Sequence, residues 1–209
     1  MTLPPLYPIL DTESLARRNC AVETAARAMI DGGAGILQFR HKGHYSRDVF
    51  AQAERVAAMC REAGVLFVVD DRADIALLLD AALHVGQDDL PPRDARRLIG
   101  PERILGFSTH NAEQLRAATN EPVDYVAIGP MFSTISKQNP DPVVGQVPDL
   151  PRAMPLIAIG GITRQNALAV LAVGADSVAV IGDLLPENCT YATLLTRIEE
   201  WQLLLKKQD

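Results

Sequence analysis

Cysteine is scarce in this 209-residue chain: Cys20, Cys60 and Cys189 are odd in number, far apart and in no metal-binding spacing. That argues against a disulfide framework or a zinc site and points to reduced thiols in a cytoplasmic protein. Basic excess is missing as well. The formal net charge is −6, which speaks against a nucleic-acid-binding face. Aromatic residues make up only 5%, a poor supply for stacking bases. No apolar run reaches the roughly 20 residues that span a bilayer. The opening MTLPPLYPILDTESLARR lacks a basic segment followed by an apolar one, so no signal peptide is expected. The partners this leaves are small molecules, including anionic ones, because a few local cations can dominate a pocket. Oligomeric state leaves no readable pattern.

What the chain does have is alternation. Short apolar runs stand at 6–10, 35–39, 66–70, 82–86, 104–108, 124–129, 155–160 and 177–182. Several are apolar at successive positions, as strands buried on both faces are. Helical patterns lie between them, over 14–30 (entered through Thr12 or Ser14), 48–63 (closed by Gly64), 75–79, 93–99, 112–118, 164–173 and 191–206. The interval 131–150 is Pro-rich with little helical pattern. Strands alternating with helices imply parallel pairing. An open doubly wound sheet would more often carry a Gly-rich loop after its first strand, and here DTESLARR follows instead. The sequence therefore predicts an α/β fold, a single (β/α)8 barrel domain over residues 1–209, near the lower size limit for that fold.

Barrels place their chemistry at the C-terminal ends of the strands. The residues there are Gln38, Arg40 and Lys42 after the second run; Asp70 and Asp71 after the third; and Asp88 and Asp89 after the fourth. Ser108 and His110 follow the fifth, Ser133 to Lys137 the sixth, and Gly161 and Gly182 the last two. Asp71 and Asp89 suit Mg2+, which takes a few carboxylates and completes its shell with water and substrate phosphate. Arg40, Lys42 and Lys137 suit a diphosphate. Gly161 and Gly182 stand where barrels commonly bind phosphate through backbone N–H groups. Two phosphorylated substrates are implied. Plainer readings stay open at this point: Asp70 and Asp71 as caps of the helix at 75–79, Arg40 and Lys42 as a solvated face, His84 as a packed strand residue, and Asp183 as the cap of a short helix.

The segments QFRHK, VDDRADIAL, HVGQDDLP, GFSTHN, DYVAIGPMFSTISK, NPDPVVG, IAIGGIT and GADSVAVIGDL, in this order, resemble the thiamine-phosphate synthase family over almost the whole chain. The resemblance implies a (β/α)8 transferase of thiamine biosynthesis. It joins 4-amino-2-methyl-5-hydroxymethylpyrimidine diphosphate to 4-methyl-5-(2-phosphooxyethyl)thiazole by a dissociative, carbocation route that needs Mg2+. It further implies that Gln38, Phe39, Arg40, His41, Lys42, Asp70, Ser108 and Lys137 contact the pyrimidine diphosphate, with Arg40, Lys42, Lys137 and Ser108 acting in catalysis. Asp71 and Asp89 become the metal ligands. Thr134, Ile135, Ser136, Gly161, Ile181 and Gly182 surround the thiazole phosphate.

Four positions depart from the family pattern: Asp70 for Asn, Gly182 for Ser, Ser136 for Thr and His41 for Glu. An ionised Asp70 cannot donate to a diphosphate oxygen. Two rivals are set against this reading. One is a thiazole tautomerase of the same fold with His110 as acid and base. The other is a non-catalytic binder of phosphorylated ligands. The joint presence of Arg40, Lys42, Asp71, Asp89 and Lys137 favours the synthase over both.

Overall fold

The structure, a computed structural model, describes residues 2–133, 142–148 and 153–206. Eight strands form at the eight apolar runs: β1 (Leu6–Asp11), β2 (Ile36–Arg40), β3 (Leu66–Asp70), β4 (Ala82–Val85), β5 (Leu105–Thr109), β6 (Tyr125–Ile128), β7 (Leu156–Ile159) and β8 (Ser177–Val180). Neighbours pair in parallel in chain order, and β8 pairs with β1, so the sheet closes into a barrel. Helices α1 (Thr12–Arg17) and α2 (Val22–Asp31) follow β1. Then α3 (Arg47–Ala63), α4 (Ala73–Leu78), α5 (Pro92–Ile99) and α6 (Ala112–Ala118) follow β2 to β5. Helix α7 (Ala167–Ala172) follows β7, and a 3-10 turn (Gly182–Leu184) and α8 (Tyr191–Leu205) follow β8. This is the (β/α)8 architecture. Among the described residues no helix follows β6, and none is long and apolar enough to cross a membrane.

Closure gives every strand an inner and an outer face, alternating with period two. In β1, Leu6 and Leu10 pack into the layer between barrel and helices, while Tyr7 and Ile9 join Ile36, Val68, Tyr125 and Ile157 inside. Both faces exclude water, which is why these strands read as unbroken apolar runs rather than as alternation.

The helix expected over 14–30 is two helices. Asn19 adopts a left-handed φ of 50°, ending α1, and α2 starts anew after Ala21. Asn tolerates that conformation better than most residues, so it serves as the break. Helix α1 is capped by Asp11, not by Thr12 or Ser14: the Asp11 carboxylate accepts the Ser14 N–H at 2.8 Å. Helix α3 ends as expected at Gly64, with φ of 68°.

One glycine shapes the interior. Gly106 faces inward on β5, and a Cβ there would lie 2.1 Å from Cζ of Tyr125. Its missing side chain is the space that the Tyr125 ring occupies. Gly106→Ala is expected to destabilise the fold by about 1–3 kcal/mol, as overpacking does. The urea midpoint should fall with an unchanged m-value; an unchanged midpoint would mean that the ring can move aside.

Candidate active site

The inward-facing positions near the strand ends change from apolar to polar. Gln38 and Arg40 share the parity of Ile36, Asp70 that of Val68, His84 that of Ala82, and Ser108 that of Gly106. A period-two strand thus carries each of these side chains over the barrel mouth. Together they line a cavity of about 540 Å3 that also takes in Lys42, Asp71, Asp89 and Gly161.

On one wall, cations and carboxylates are interleaved. Arg40 donates to Asp11 Oδ2 at 2.5 Å and has its Nε 3.5 Å from Asp70 Oδ2. Lys42 donates to Asp71 and stands 3.1 Å from Asp70 Oδ2. Asp70 Oδ2 is thus within ion-pair distance of two cations, yet it is buried and accepts no hydrogen bond. Burial draws the Lys42 pKa down, but Asp70 and Asp71 outweigh it and hold the ammonium above its ordinary value.

Asp71 occupies the left-handed region at φ 62°, and its N–H donates to the His84 carbonyl at 2.8 Å, so strand pairing continues one residue past β3. Asp89 Oδ2 accepts the Gly86 N–H at 2.8 Å. A Cβ on Gly86 would lie 2.9 Å from that oxygen, so the glycine permits the approach. Asp71 and Asp89 reach each other. Burial, then the charge of Asp70, and then the contact with Asp89 push the Asp71 pKa up to about 7, against the pull of Lys42. A crowded carboxylate pair of this kind fits a divalent cation, which would neutralise it. Among the described residues no group of three or more His, Cys, Asp or Glu converges on one point. Mg2+ asks for less, since it is commonly bound through one or two carboxylates plus substrate oxygens.

The opposite wall is backbone. Gly160 and Gly161 have φ of 96° and 64°, and side chains on them would strike Pro130 and the Ser133 carbonyl. Asn166 fixes the turn, accepting from Thr163 N and donating to the Gly161 carbonyl. Asp183 does not cap the 3-10 turn. Its Oδ2 accepts from Trp201 Nε1 at 2.9 Å and Arg164 Nε at 3.0 Å, so its charge is matched. Likewise Asp70 and Asp71 do not cap α4, whose N-cap is Arg72 with no side-chain bond.

The floor of the cavity is polar but buried. His84 bonds Tyr125 through Nδ1 at 3.0 Å and Ser108 through Nε2 at 2.8 Å. Burial lowers its pKa to about 4. In the metal-free protein His84 and Asp71 therefore push stability in opposite directions. His84 stays neutral when folded and takes a proton when unfolded, so its contribution is lost as pH falls from 6.5 towards 4. Asp71 holds a proton longer when folded, so its contribution grows as pH falls from 7 towards 4. Asp71→Asn should leave a protein that loses urea stability on acidification more steeply than the parent. His84→Gln should show the reverse. Parallel profiles for both variants would contradict these environments.

Of the residues singled out from the sequence, Gln38, Arg40, Lys42, Asp70, Asp71, Asp89, Ser108, Gly161, Ile181 and Gly182 line the one cavity. Phe39 does not. It is out of phase with Gln38 and Arg40, and its side chain is fully buried in the outer layer against the helices. His41 does not either: its ring bonds Thr12 Oγ1 at 2.8 Å and meets the Tyr45 ring edge-on. Thr134, Ile135, Ser136 and Lys137 lie outside the described residues. Asp11 was missed, although it continues the inward parity of Tyr7 and Ile9, and that parity is the signal that finds it.

Residues 6–184 match the protein family described as thiamine monophosphate synthase. A thiamine-phosphate synthase from Koribacter versatilis (strain Ellin345) is 45% identical over 195 residues, covering 88% of this chain and 90% of its own. Another, from Roseiflexus sp. (strain RS-1), is 40% identical over 196 residues, covering 90% and 82%. The solved structure of thiamine phosphate pyrophosphorylase from Pyrococcus furiosus superposes with a TM-score of 0.78 at 30% identity, covering 97% of this chain and 95% of that one.

Proposed function

The chain belongs to the thiamine monophosphate synthase family, and from that premise we propose that its cavity joins 4-amino-2-methyl-5-hydroxymethylpyrimidine diphosphate to 4-methyl-5-(2-phosphooxyethyl)thiazole. The protein is a transferase of the thiamine-phosphate synthase type. In the proposed reaction the C–O bond to diphosphate breaks, leaving a pyrimidine carbocation. The thiazole nitrogen then gives its electron pair to that carbon, and thiamine phosphate and diphosphate result. The work is done in the cytoplasm by one barrel domain, on small phosphorylated molecules.

The observation that carries this reading is the cavity wall where Arg40 stands against Asp70, Lys42 against Asp70 and Asp71, and Asp89 against Asp71. The reaction asks for no nucleophile and no strong base. It asks for positive charge where the leaving group's negative charge develops. Arg40 and Lys42, with Lys137 and Ser108, bind the diphosphate; Lys42 exchanges its bond to Asp71 for one to the substrate. Asp71 and Asp89 would hold Mg2+, which when bound supplies further positive charge to the leaving oxygens. Backbone at Gly161, Ile181 and Gly182, together with Thr134, Ile135 and Ser136, would hold the thiazole phosphate. Ile9, Ile157 and Ala179 line the cavity with apolar surface, which keeps water from the carbocation.

Incubation with both substrates and Mg2+ tests the reading: thiamine phosphate and diphosphate should appear in equal amounts. Their absence overturns it. His110 also lines the cavity, so isomerisation of the thiazole phosphate without metal would instead mark a tautomerase.

A further inference from the structure

Five polar side chains form one continuous hydrogen-bonded row through the barrel interior. Gln38 Nε2 donates to the Tyr7 hydroxyl at 3.1 Å, and that hydroxyl lies 3.0 Å from the Tyr125 hydroxyl. Tyr125 lies 3.0 Å from His84 Nδ1, and His84 Nε2 lies 2.8 Å from Ser108 Oγ. The two ends of the row, Gln38 and Ser108, line the cavity, as do Tyr7 and His84 between them. Tyr125 is completely buried beneath it, its ring filling the space that a side chain at position 106 would take.

Each hydroxyl has a single proton to give, and a neutral imidazole has one donor and one acceptor. Once Gln38 donates, the direction of every other bond follows. Tyr7 accepts from Gln38 and gives its proton to Tyr125. Tyr125 gives its proton to Nδ1, so the imidazole carries hydrogen on Nε2 and passes it to Ser108. Were any bond reversed singly, a buried proton would be left without an acceptor, two acceptors would face each other with no proton between them, or the ring would have to accept at both nitrogens, each of which is costly. Ser108, having accepted from within, has its own proton left for the cavity. Gln38, with one Nε2 hydrogen given to Tyr7, offers Oε1 as an acceptor. Turning the Gln38 amide over reverses the whole row and makes Ser108 an acceptor of the ligand's hydrogen.

We propose that this row is a relay that matches the two ends of a ligand at once: an N–H donor at Gln38 and an anionic oxygen at Ser108, with Tyr7, Tyr125 and His84 as positioning residues. The identity of that ligand rests on the synthase reading, since an aminopyrimidine bearing a diphosphate carries both groups. The relay explains why a histidine and a tyrosine line the floor of a site, with a second tyrosine beneath them, although its chemistry needs no proton transfer from them. They fix which way one serine hydroxyl points.

The test combines nitrogen-15 NMR of the histidine rings with calorimetric binding of inorganic diphosphate in the presence of Mg2+. His84→Gln identifies the His84 signals. The expected wild-type spectrum shows Nε2 protonated and Nδ1 bare. Tyr125→Phe and Ser108→Ala should each weaken diphosphate binding about tenfold. The double variant should be no weaker than Ser108→Ala alone, because Tyr125 acts only through that hydroxyl. Ser108→Thr should restore binding. A proton on Nδ1 in the wild type, or losses that multiply in the double variant, would overturn the relay. Neither readout requires turnover. A wild type with the expected tautomer that forms no thiamine phosphate would remove the synthase reading and leave the relay standing.

Discussion

Chelation of Mg2+ is expected to lower thiamine phosphate formation by about 10³-fold or more. The size follows from what the cation does: a charge worth several kcal/mol at the leaving group corresponds to some three decades of rate. The loss should fall mainly on kcat, because charge builds on the diphosphate as the bond breaks. Asp89→Asn should reproduce most of the loss, and raised Mg2+ should recover part of it. Asp71→Asn is more informative. It removes a carboxylate whose pKa is pushed up to about 7, so the parent's activity should fall on acidification through that region when metal is limiting, whereas saturating metal should hold the carboxylate ionised. Full turnover in chelator would contradict the assignment of both aspartates.

Arg40→Ala should be damaging twice over. The Arg40 guanidinium is bonded to Asp11 and close to Asp70, both almost wholly buried. Removing it leaves two buried carboxylates short of a partner. About 3 kcal/mol of stability should go, the lower end for breaking a buried pair, because Asp11 keeps the Ser14 N–H and Asp70 keeps Lys42. Turnover should fall by about 10²-fold or more as a cation over the diphosphate disappears. The two effects separate experimentally. Arg40→Ala/Asp70→Asn should regain part of the stability, because one of the two uncompensated charges is gone while Asp11 stays unpaired with a cation, and turnover should stay low. Recovery of both would mean that Arg40 serves the fold alone.

How much of this was legible in the chain depends on which force wrote it. The eight strands were, because burial on two faces demands apolar residues at nearly every position, and few other structures do. The gathering of Arg40, Asp70 and Ser108 was legible too, because strand ends in a closed barrel share a rim. Phe39 shows where adjacency misleads: it stands between Gln38 and Arg40 in the chain, yet period two turns it to the helices. The break at Asn19 was hidden, since a single left-handed residue leaves the apolar pattern of α1 and α2 nearly continuous. Asp11 was hidden because the helix start was expected at Thr12 or Ser14; Asp11 itself caps that helix while also anchoring Arg40. The row from Gln38 to Ser108 joins residues on five strands, and no local pattern announces partners that only barrel closure brings together.

The most direct measurement is calorimetric titration of Mg2+ and inorganic diphosphate, each alone and each in the presence of the other, on the wild type and on Asp89→Asn. A shared site of acids and cations requires that each ligand strengthen the other by the same factor, about tenfold or more, and that Asp89→Asn abolish the coupling. Independent binding of the two in the wild type, or coupling untouched by Asp89→Asn, would show that the acids of β3 and β4 and the cations of β2 do not serve one leaving group.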